Sequence, residues 1–493
     1  MMVLHRRISN IMSWCLPFLM LCLSGLPQAD AWASNQAVAA DNLLSPSAVQ
    51  VWISTTDRSK LLSREPDTHF DAAEQLPLDI HVNPAKQFQK MIGFGASITD
   101  ASAWLMQNML DAATRDALMK ELFGSAPGLG LSFTRLTIGA SDFSRMHYSL
   151  DDIPPGQTDP TLEHFSIEAN RADVLPIVKK ALALNPDLRV MASPWSAPAW
   201  MKTSRSLIKG RLRPDAFGSF SEYLVRYIQA YQAEGVPIFA LTVQNEPHFE
   251  PEDYPGMHLD NRDRASLIGQ HLGPRLAASG LQTRILEWDH NWNNPGAPLT
   301  VLADERARKY VGGVAWHCYE GHVNAQNIVH DAHPDIDTYF TECSGGTWEP
   351  LHSDGLVWLT RELIVGSTRA WAKGVLLWNL ALDEHHGPHK GGCKNCRGVV
   401  TIDSATGAIT RNPEYYALAH ASRFVRPGAH RIHSDTHSGR IDTVAFQNAD
   451  DKSIVLIAAN STSGSRRFSV RSSGRGFQYE LPAKSVATFV WQL

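Results

Sequence analysis

The 493-residue chain predicts an α/β protein, a (β/α)8 TIM barrel with an accessory antiparallel β-sandwich domain, on three observations. Eight short apolar runs alternate with charged, helix-period segments from about residue 90 onward, the pattern of repeated βαβ units. The flanks read instead as alternating strands broken by turns. The apolar runs also end, one after another, in polar side chains capable of chemistry, where a barrel of this kind carries its active site.

At the N-terminus, Arg6 and Arg7 precede an apolar run over residues 11–26, and Ala31-Trp32-Ala33 follows as a small-x-small cleavage pattern. Residues 1–33 therefore read as a signal peptide. A membrane anchor is the competing reading, but the run is shorter than the roughly 20 residues a spanning helix needs, with Pro17 inside it and Pro27 beside it. No later stretch is long and apolar enough to span a bilayer, so the mature chain is expected to be secreted or periplasmic, with no stable membrane span. Residues 34–87 read as a lead-in followed by strands at 49–55 and 78–82 that join the sandwich.

The barrel is expected over residues 88–412, with strands at 92–99, 133–139, 189–195, 238–245, 283–290, 313–319, 338–343 and 374–381. Between them lie segments such as 216–234, where Phe217, Phe220, Leu224, Tyr227, Ile228 and Tyr231 recur at helical spacing. Eight strands, each followed by a helix, is the count that closes a barrel. Residues 413–493 are expected to form the C-terminal β-sandwich domain. From about residue 441 they show alternating strands with turns at Asp450-Asp451, Ser463-Gly464 and Ser473-Gly474.

A net charge of −5 without Lys/Arg runs argues against a nucleic-acid partner. Fourteen tryptophans point elsewhere, since indole faces suit the apolar faces of sugar rings as well as they suit a core. Cys15 and Cys22 leave with the signal peptide. Of the remaining four, Cys393 and Cys396 are expected to close as a disulfide in a secreted chain. Cys318 and Cys343 end neighbouring strands, and the sequence leaves open whether they bridge or stay buried thiols. The stretch His385-His386-Gly387-Pro388-His389 beside Cys393 and Cys396 has zinc-like spacing, but the disulfide reading competes with it and no metal or other cofactor is expected.

The polar residues that end the apolar runs are Arg135 and Asp142, Trp195, Asn245-Glu246-Pro247, Asp289-His290, His317 and Tyr319, Glu342, and Trp378 with Asn379. Cleaving a glycosidic bond needs an acid to protonate the leaving oxygen and, in the retaining route, a second carboxylate about 5–5.5 Å away to attack the anomeric carbon. Glu246 and Glu342, ending strands four and seven, can face each other across a bound sugar. Asn245 is placed to bond the sugar 2-hydroxyl, and His317 and Tyr319 to orient Glu342 and keep it ionised. A sugar-binding protein that had lost catalysis would not need both glutamates, and a purely structural role would leave the polar ring without a purpose.

These residues resemble glycoside hydrolase family 30, the glucosylceramidase family. The matching motifs are Gly93-Phe94-Gly95-Ala96-Ser97-Ile98-Thr99-Asp100-Ala101, Ser193-Pro194-Trp195-Ser196-Ala197-Pro198-Ala199-Trp200-Met201-Lys202-Thr203, Gln244-Asn245-Glu246-Pro247 and Trp378-Asn379-Leu380-Ala381-Leu382. The likeness runs from about residue 80 to the C-terminus. It implies Glu246 as acid/base and Glu342 as nucleophile, with Asp142, Trp195, Asn245 and Trp378 gripping the innermost sugar. Arg135, His317 and Tyr319 match positions that support these groups from behind, and the family's side domain is a β-sandwich built from both chain ends.

Two departures bear on the substrate. Cys318 stands where the family's lysosomal member has an aromatic, and residues 391–397 do not align with the sugar-binding loop of that enzyme. The resemblance implies a carbohydrate or glycolipid substrate cleaved at a β-glucosidic bond, glucosylceramidase-like, with endo-β-1,6-glucanase, β-xylosidase or β-fucosidase action as alternatives within the family. The match around Trp195 and Trp378 favours glucose in the innermost subsite.

Overall fold

The computed structural model describes residues 47–71, 75–348 and 355–493; the expected signal peptide lies outside them. Eight parallel strands close a barrel in consecutive order: β1 Gly93–Ser97, β2 Phe133–Ile138, β3 Arg189–Pro194, β4 Ile238–Thr242, β5 Arg284–Asn291, β6 Val311–His317, β7 Asp337–Glu342 and β8 Ala372–Asn379. Each expected run contains or overlaps one of these strands. The helical segment expected over 216–234 is the helix Phe217–Ala233, which buries Phe217, Phe220, Leu224, Tyr227, Ile228 and Tyr231 on one face. That spacing lays an apolar stripe along a helix, and burying the stripe against the barrel wall is what stabilises it.

Inside the barrel, Phe133, Met191, Ala240, Leu286, Ala315, Tyr339 and Leu376 form an apolar layer with one side chain from each of seven strands. Such a layer makes the barrel a packed core rather than a pore, and it is the floor on which the site stands.

The second body is a nine-stranded sheet drawn from both chain ends. Its apolar faces enclose a separate core that includes Val51, Ile80, Leu456, Phe468, Phe489 and Trp491. One pairing departs from the antiparallel expectation: Ser469–Ser472 run parallel to Asp79–Val82, because the strand Asp79–Lys90 is shared between His430–Ser434 and Arg466–Ser472. The helix Pro413–Ser422 packs between β1 and the strand Ser485–Trp491. Its buried His420 pins the contact, Nδ1 standing 2.9 Å from Thr488 Oγ1 and Nε2 2.9 Å from Ser54 Oγ. Among the described residues no helix is long and apolar enough to cross a membrane.

Candidate active site

In a strand, residues two apart share a face. Two positions beyond the apolar floor, Arg135, Ser193, Thr242, His317 and Thr341 therefore form a polar layer on the same axis. β5 breaks the alternation. Its pairing with β6 slips between Trp288 and His290, and Trp288 and Asp289 take left-handed φ values of 74° and 55°. The bulge turns the Asp289 carboxylate into the polar layer.

Asp289 is the hub of that layer. Its Oδ2 accepts from Arg135 Nη2 at 2.7 Å, Thr242 Oγ1 at 2.7 Å and Ser193 Oγ at 2.8 Å. Its Oδ1 accepts from Thr341 Oγ1 at 2.8 Å and faces His317 Nε2 at 2.9 Å. Arg135, wholly buried, spreads its guanidinium over three acceptors: Asp289, Asn245 Oδ1 at 2.7 Å, and Glu342 Oε2. The other oxygen of Glu342 accepts from the Tyr319 hydroxyl at 2.9 Å.

Tyr319 thus hydrogen-bonds Glu342, whereas His317 acts on it through its charge alone. Its Nδ1 stands 3.0 Å from Glu246 Oε1 and 3.9 Å from Glu342 Oε1, so its hydrogen bond goes to Glu246. With Nε2 committed to Asp289, the ring is held at both ends. Glu246 itself has φ 45°, a left-handed conformation that costs a non-glycine residue about 1–3 kcal/mol and is concentrated at functional sites.

These contacts set the charges. Burial alone would raise Asp289, but the Arg135 charge and the His317 hydrogen bond hold it far below the ordinary carboxylate range. Burial opposes charge on His317, yet Glu342, Asp289 and Glu246 outweigh it and push the ring up to about 9. Glu246 is lowered against its own burial, by its His317 hydrogen bond and by the His290 and His317 charges. Both directions favour the proton on the imidazole, beside Glu246 Oε1 at 3.0 Å. Burial holds Glu342 above the ordinary glutamate value, with His317 and Arg135 pulling the other way.

Around this pair lie the residues expected to hold a sugar. Trp195 and Trp378 stack at 5.0 Å and 19°, and the Arg135 guanidinium lies over the Trp195 ring at 4.7 Å. Asn245 gives its oxygen to Arg135, which leaves its amide nitrogen as the donor for a ligand. Asp142 is buried, and that burial, with Glu342 and Glu246 nearby, pushes it to about 8. All nine site residues named from the sequence thus come together at one end of the barrel.

Both cysteine pairs are bonded. Cys318–Cys343 joins the ends of β6 and β7 with Cα atoms 5.4 Å apart, and Cys393–Cys396 closes a short loop. The second bond takes both sulfurs out of the zinc-like His/Cys stretch. The loop borders the residues expected to hold a sugar. Lys390 N donates to Asp142 O at 2.9 Å, Gly392 N to Asp253 Oδ1 at 3.1 Å, and Cys396–Arg397 pair with Gly345–Gly346 just beyond Glu342. A cavity of about 260 Å³ lies beside Tyr319, lined by Ser344, Trp348, Trp358 and Arg397.

Sequence reading placed Asp289 at a strand end without a role. The signal for one was a set of small hydroxyl residues, Ser193, Thr242 and Thr341, at inward positions of three other strands. It named His290 beside Asp289, likewise without a role; its Nδ1 lies 3.7 Å from Glu246 Oε1. Burial lowers His290 to about 4.

The arrangement has close counterparts. Residues 91–425 match the glycosyl hydrolase family 30 TIM-barrel domain, and residues 428–489 the glycosyl hydrolase family 30 beta sandwich domain. An endo-1,6-beta-D-glucanase of Neurospora crassa is 36% identical over 399 residues, covering 78% of this chain and 81% of its own. The lysosomal acid glucosylceramidase of Mus musculus is 27% identical over 434 residues, covering 83% of each. The solved structure of an endo-beta1,6-glucanase superposes with a TM-score of 0.84 at 34% identity, over 90% of this chain and 99% of that one. With both of its bodies matched and the paired carboxylates at the barrel mouth, the chain belongs to glycosyl hydrolase family 30 and is a glycosidase.

Proposed function

We propose that the enzyme hydrolyses β-glucosidic bonds with retention, Glu246 acting as acid/base and Glu342 as nucleophile. One observation carries the reading: oxygens of both carboxylates lie within 4 Å of the same nitrogen, His317 Nδ1. The two oxygens are therefore within about 7 Å of each other, which admits the roughly 5–5.5 Å of a retaining pair and excludes all but the lower edge of the 6.5–9.5 Å or so that makes room for an inverting water.

In the first step a Glu342 oxygen attacks the anomeric carbon as the bond to the leaving oxygen breaks. Glu246 delivers to that oxygen the proton it shares with His317. Arg135 and Tyr319 aim the Glu342 carboxylate, and Trp378, Trp195, Asp142 and Asn245 fix the sugar, Asn245 through its free amide on the 2-hydroxyl. In the second step Glu246 takes a proton from water, which attacks the same carbon and frees Glu342.

For the substrate we favour a β-1,6-linked glucan, on the identities to the fungal and solved endoglucanases and on the aromatic-walled, hydrogen-bonding cavity beside Tyr319, which suits a second sugar ring. Hydrolysis of glucosylceramide is the second reading. It is favoured by the likeness to the mouse enzyme and by two exposed aromatics, Phe249 and Trp348, each of which follows one of the glutamates closely in sequence. We further propose that the chain is exported, on its N-terminal Arg6-Arg7, apolar and small-x-small pattern.

Anomeric-proton NMR on early product tests the mechanism: β product is expected, and initial α product overturns it. Parallel assays on β-1,6-glucan, glucosylceramide and an aryl β-glucoside test the substrate. Turnover of glucosylceramide but not of glucan would replace the first reading with the second.

A further inference from the structure

We propose that the acid/base corner of the site also binds a divalent transition-metal ion of borderline softness, with Zn²⁺ as the probe, through Glu246 Oε1, His290 Nδ1 and His317 Nδ1, and that the bound ion inhibits the enzyme. Among the described residues these three form a group whose ligand atoms all lie within 4.8 Å of one another. His317 Nδ1 and His290 Nδ1 stand 3.0 and 3.7 Å from the same glutamate oxygen. Zinc held at about 2.0–2.2 Å in tetrahedral geometry puts its ligand atoms about 3.3–3.5 Å apart, so small side-chain adjustments complete three corners. Two imidazoles and a carboxylate make up a donor set that holds zinc in known catalytic sites.

Three further observations favour a metal over a plain hydrogen-bonded cluster. First, His290 Nδ1 is buried and has no hydrogen-bond partner, although it faces Glu246. A histidine present only to bond the glutamate would close that gap. Second, His317 Nε2 is committed to Asp289 at 2.9 Å, and Asp289 is itself held by four other donors. A carboxylate behind the distal nitrogen is how metal-binding histidines are oriented, and it fixes the tautomer that offers Nδ1 to the ion. Third, the ligands sit on or just after β4, β5 and β6 of a closed barrel, with the His290 ring against Trp288 at 5.0 Å, so the cluster is rigid before any ion arrives. The Glu246 side chain stays 13% exposed, which leaves the fourth position open to water from the sugar cleft.

The chemistry balances without a redox step. The ion takes the lone pairs of two imidazoles and one carboxylate oxygen, and the proton shared by His317 and Glu246 leaves to solvent. Glu246 then has no proton to give the leaving oxygen, and the ion competes with a sugar in the innermost subsite.

The binding arm of the test does not depend on the catalytic reading, whereas the inhibition arm rests on it. Metal-free enzyme titrated with Zn²⁺ by calorimetry is expected to show one equivalent whose affinity falls at least tenfold in both His290→Phe and His290→Gln. The iminosugar 1-deoxynojirimycin should weaken the same binding event. Co²⁺ added to the wild-type enzyme should give the intense visible bands of a tetrahedral site, displaced by Zn²⁺, which needs no variant to fold. On an aryl β-glucoside, the Zn²⁺ concentration for half-inhibition should rise at least tenfold in the His290 variants, and chelation should restore wild-type turnover. Zinc binding of equal affinity in wild type and variants, or Co²⁺ bands of octahedral type only, overturns the site. Specific zinc binding without inhibition of an active enzyme overturns the inhibitory role alone. An enzyme inactive on every glucoside that still shows the tetrahedral bands would instead count against the catalytic reading.

Discussion

Asp289 faces Nε2 of His317 at 2.9 Å, and the opposite nitrogen of the same ring stands 3.0 Å from Glu246. The buried aspartate on β5 thus reaches Glu246, the proposed acid/base, through one imidazole, while also holding Arg135, which is paired with Glu342, the proposed nucleophile.

Replacing Asp289 with Asn should therefore act at a distance from the substrate. The side-chain shape is kept while the charge and one acceptor oxygen are lost, so the buried Arg135 and His317 lose the counter-charge that both share. We expect kcat/KM to fall about 10²-fold or more, within the range attributed to positioned acid–base groups, and stability to drop by up to about 3–5 kcal/mol, the range for breaking a buried ion pair. A merely structural role predicts the stability loss alone. Positioning predicts also that the alkaline limb of the pH profile moves to lower pH, because His317 is held at about 9 partly by this contact.

The wild-type pH profile follows from the same contacts. The proton shared by His317 and Glu246 is present below about pH 9 and lost above it, so activity should fall on the alkaline side near there. Glu342 must be ionised to attack, and burial raises it, so the acid limb should lie above the ordinary glutamate value of about 4.5. A kcat/KM profile on an aryl glucoside that is flat through pH 9 would contradict the shared proton.

Gly392→Ala probes the disulfide-closed loop. Gly392 has φ 69°, and an added Cβ would lie 2.4 Å from Asp142 Cβ, so the substitution strains the turn and displaces a sugar-binding carboxylate together. At about 1–3 kcal/mol for such strain, an increase in KM of roughly 10- to 100-fold is expected, larger than the loss in kcat. Unchanged KM would mean that the loop does not shape the sugar site.

The stability of the barrel–sandwich contact should also depend on pH. His420 is wholly buried, and desolvation depresses it from 6.5 to about 3. Between those values the unfolded chain binds a proton that the folded chain does not. The contribution of a neutral His420 is thus fully present above pH 6.5 and declines as pH falls, by at most about 1.4 kcal/mol per unit. In urea titrations the gap between wild type and His420→Gln should narrow from pH 7 to pH 4. Parallel curves would contradict it.

The barrel was legible because its evidence is local: a strand buried on both faces writes a short apolar run, and an amphipathic helix writes a 3.6-residue stripe, as in Phe217–Ala233. The candidate catalytic residues, Glu246 and Glu342, could be named because they end those runs. What stayed hidden depends on register and distance. Strict alternation along β5 puts Leu286, Trp288 and His290 on one face, and only the bulge at Trp288–Asp289 brings the aspartate inward. For the same reason His317 was assigned to Glu342, its neighbour in strand order, although its bond crosses to Glu246 on the far side of β5. The Cys318–Cys343 bond needed a Cα separation that no sequence spacing supplies.

The central claim, that Glu246 is the acid/base and Glu342 the nucleophile, is tested most directly by azide rescue of the two alanine variants. Glu246→Ala, given an aryl glucoside whose leaving group needs no proton, should still form the intermediate on Glu342 and stall for want of a base. Azide needs no base, so it should release that intermediate as the β-glucosyl azide. Glu342→Ala has no nucleophile, so azide in the vacated space attacks directly and gives the α-azide. Opposite anomers in this pairing are the predicted result, and the reverse pairing, or the same anomer from both variants, would contradict the assignment.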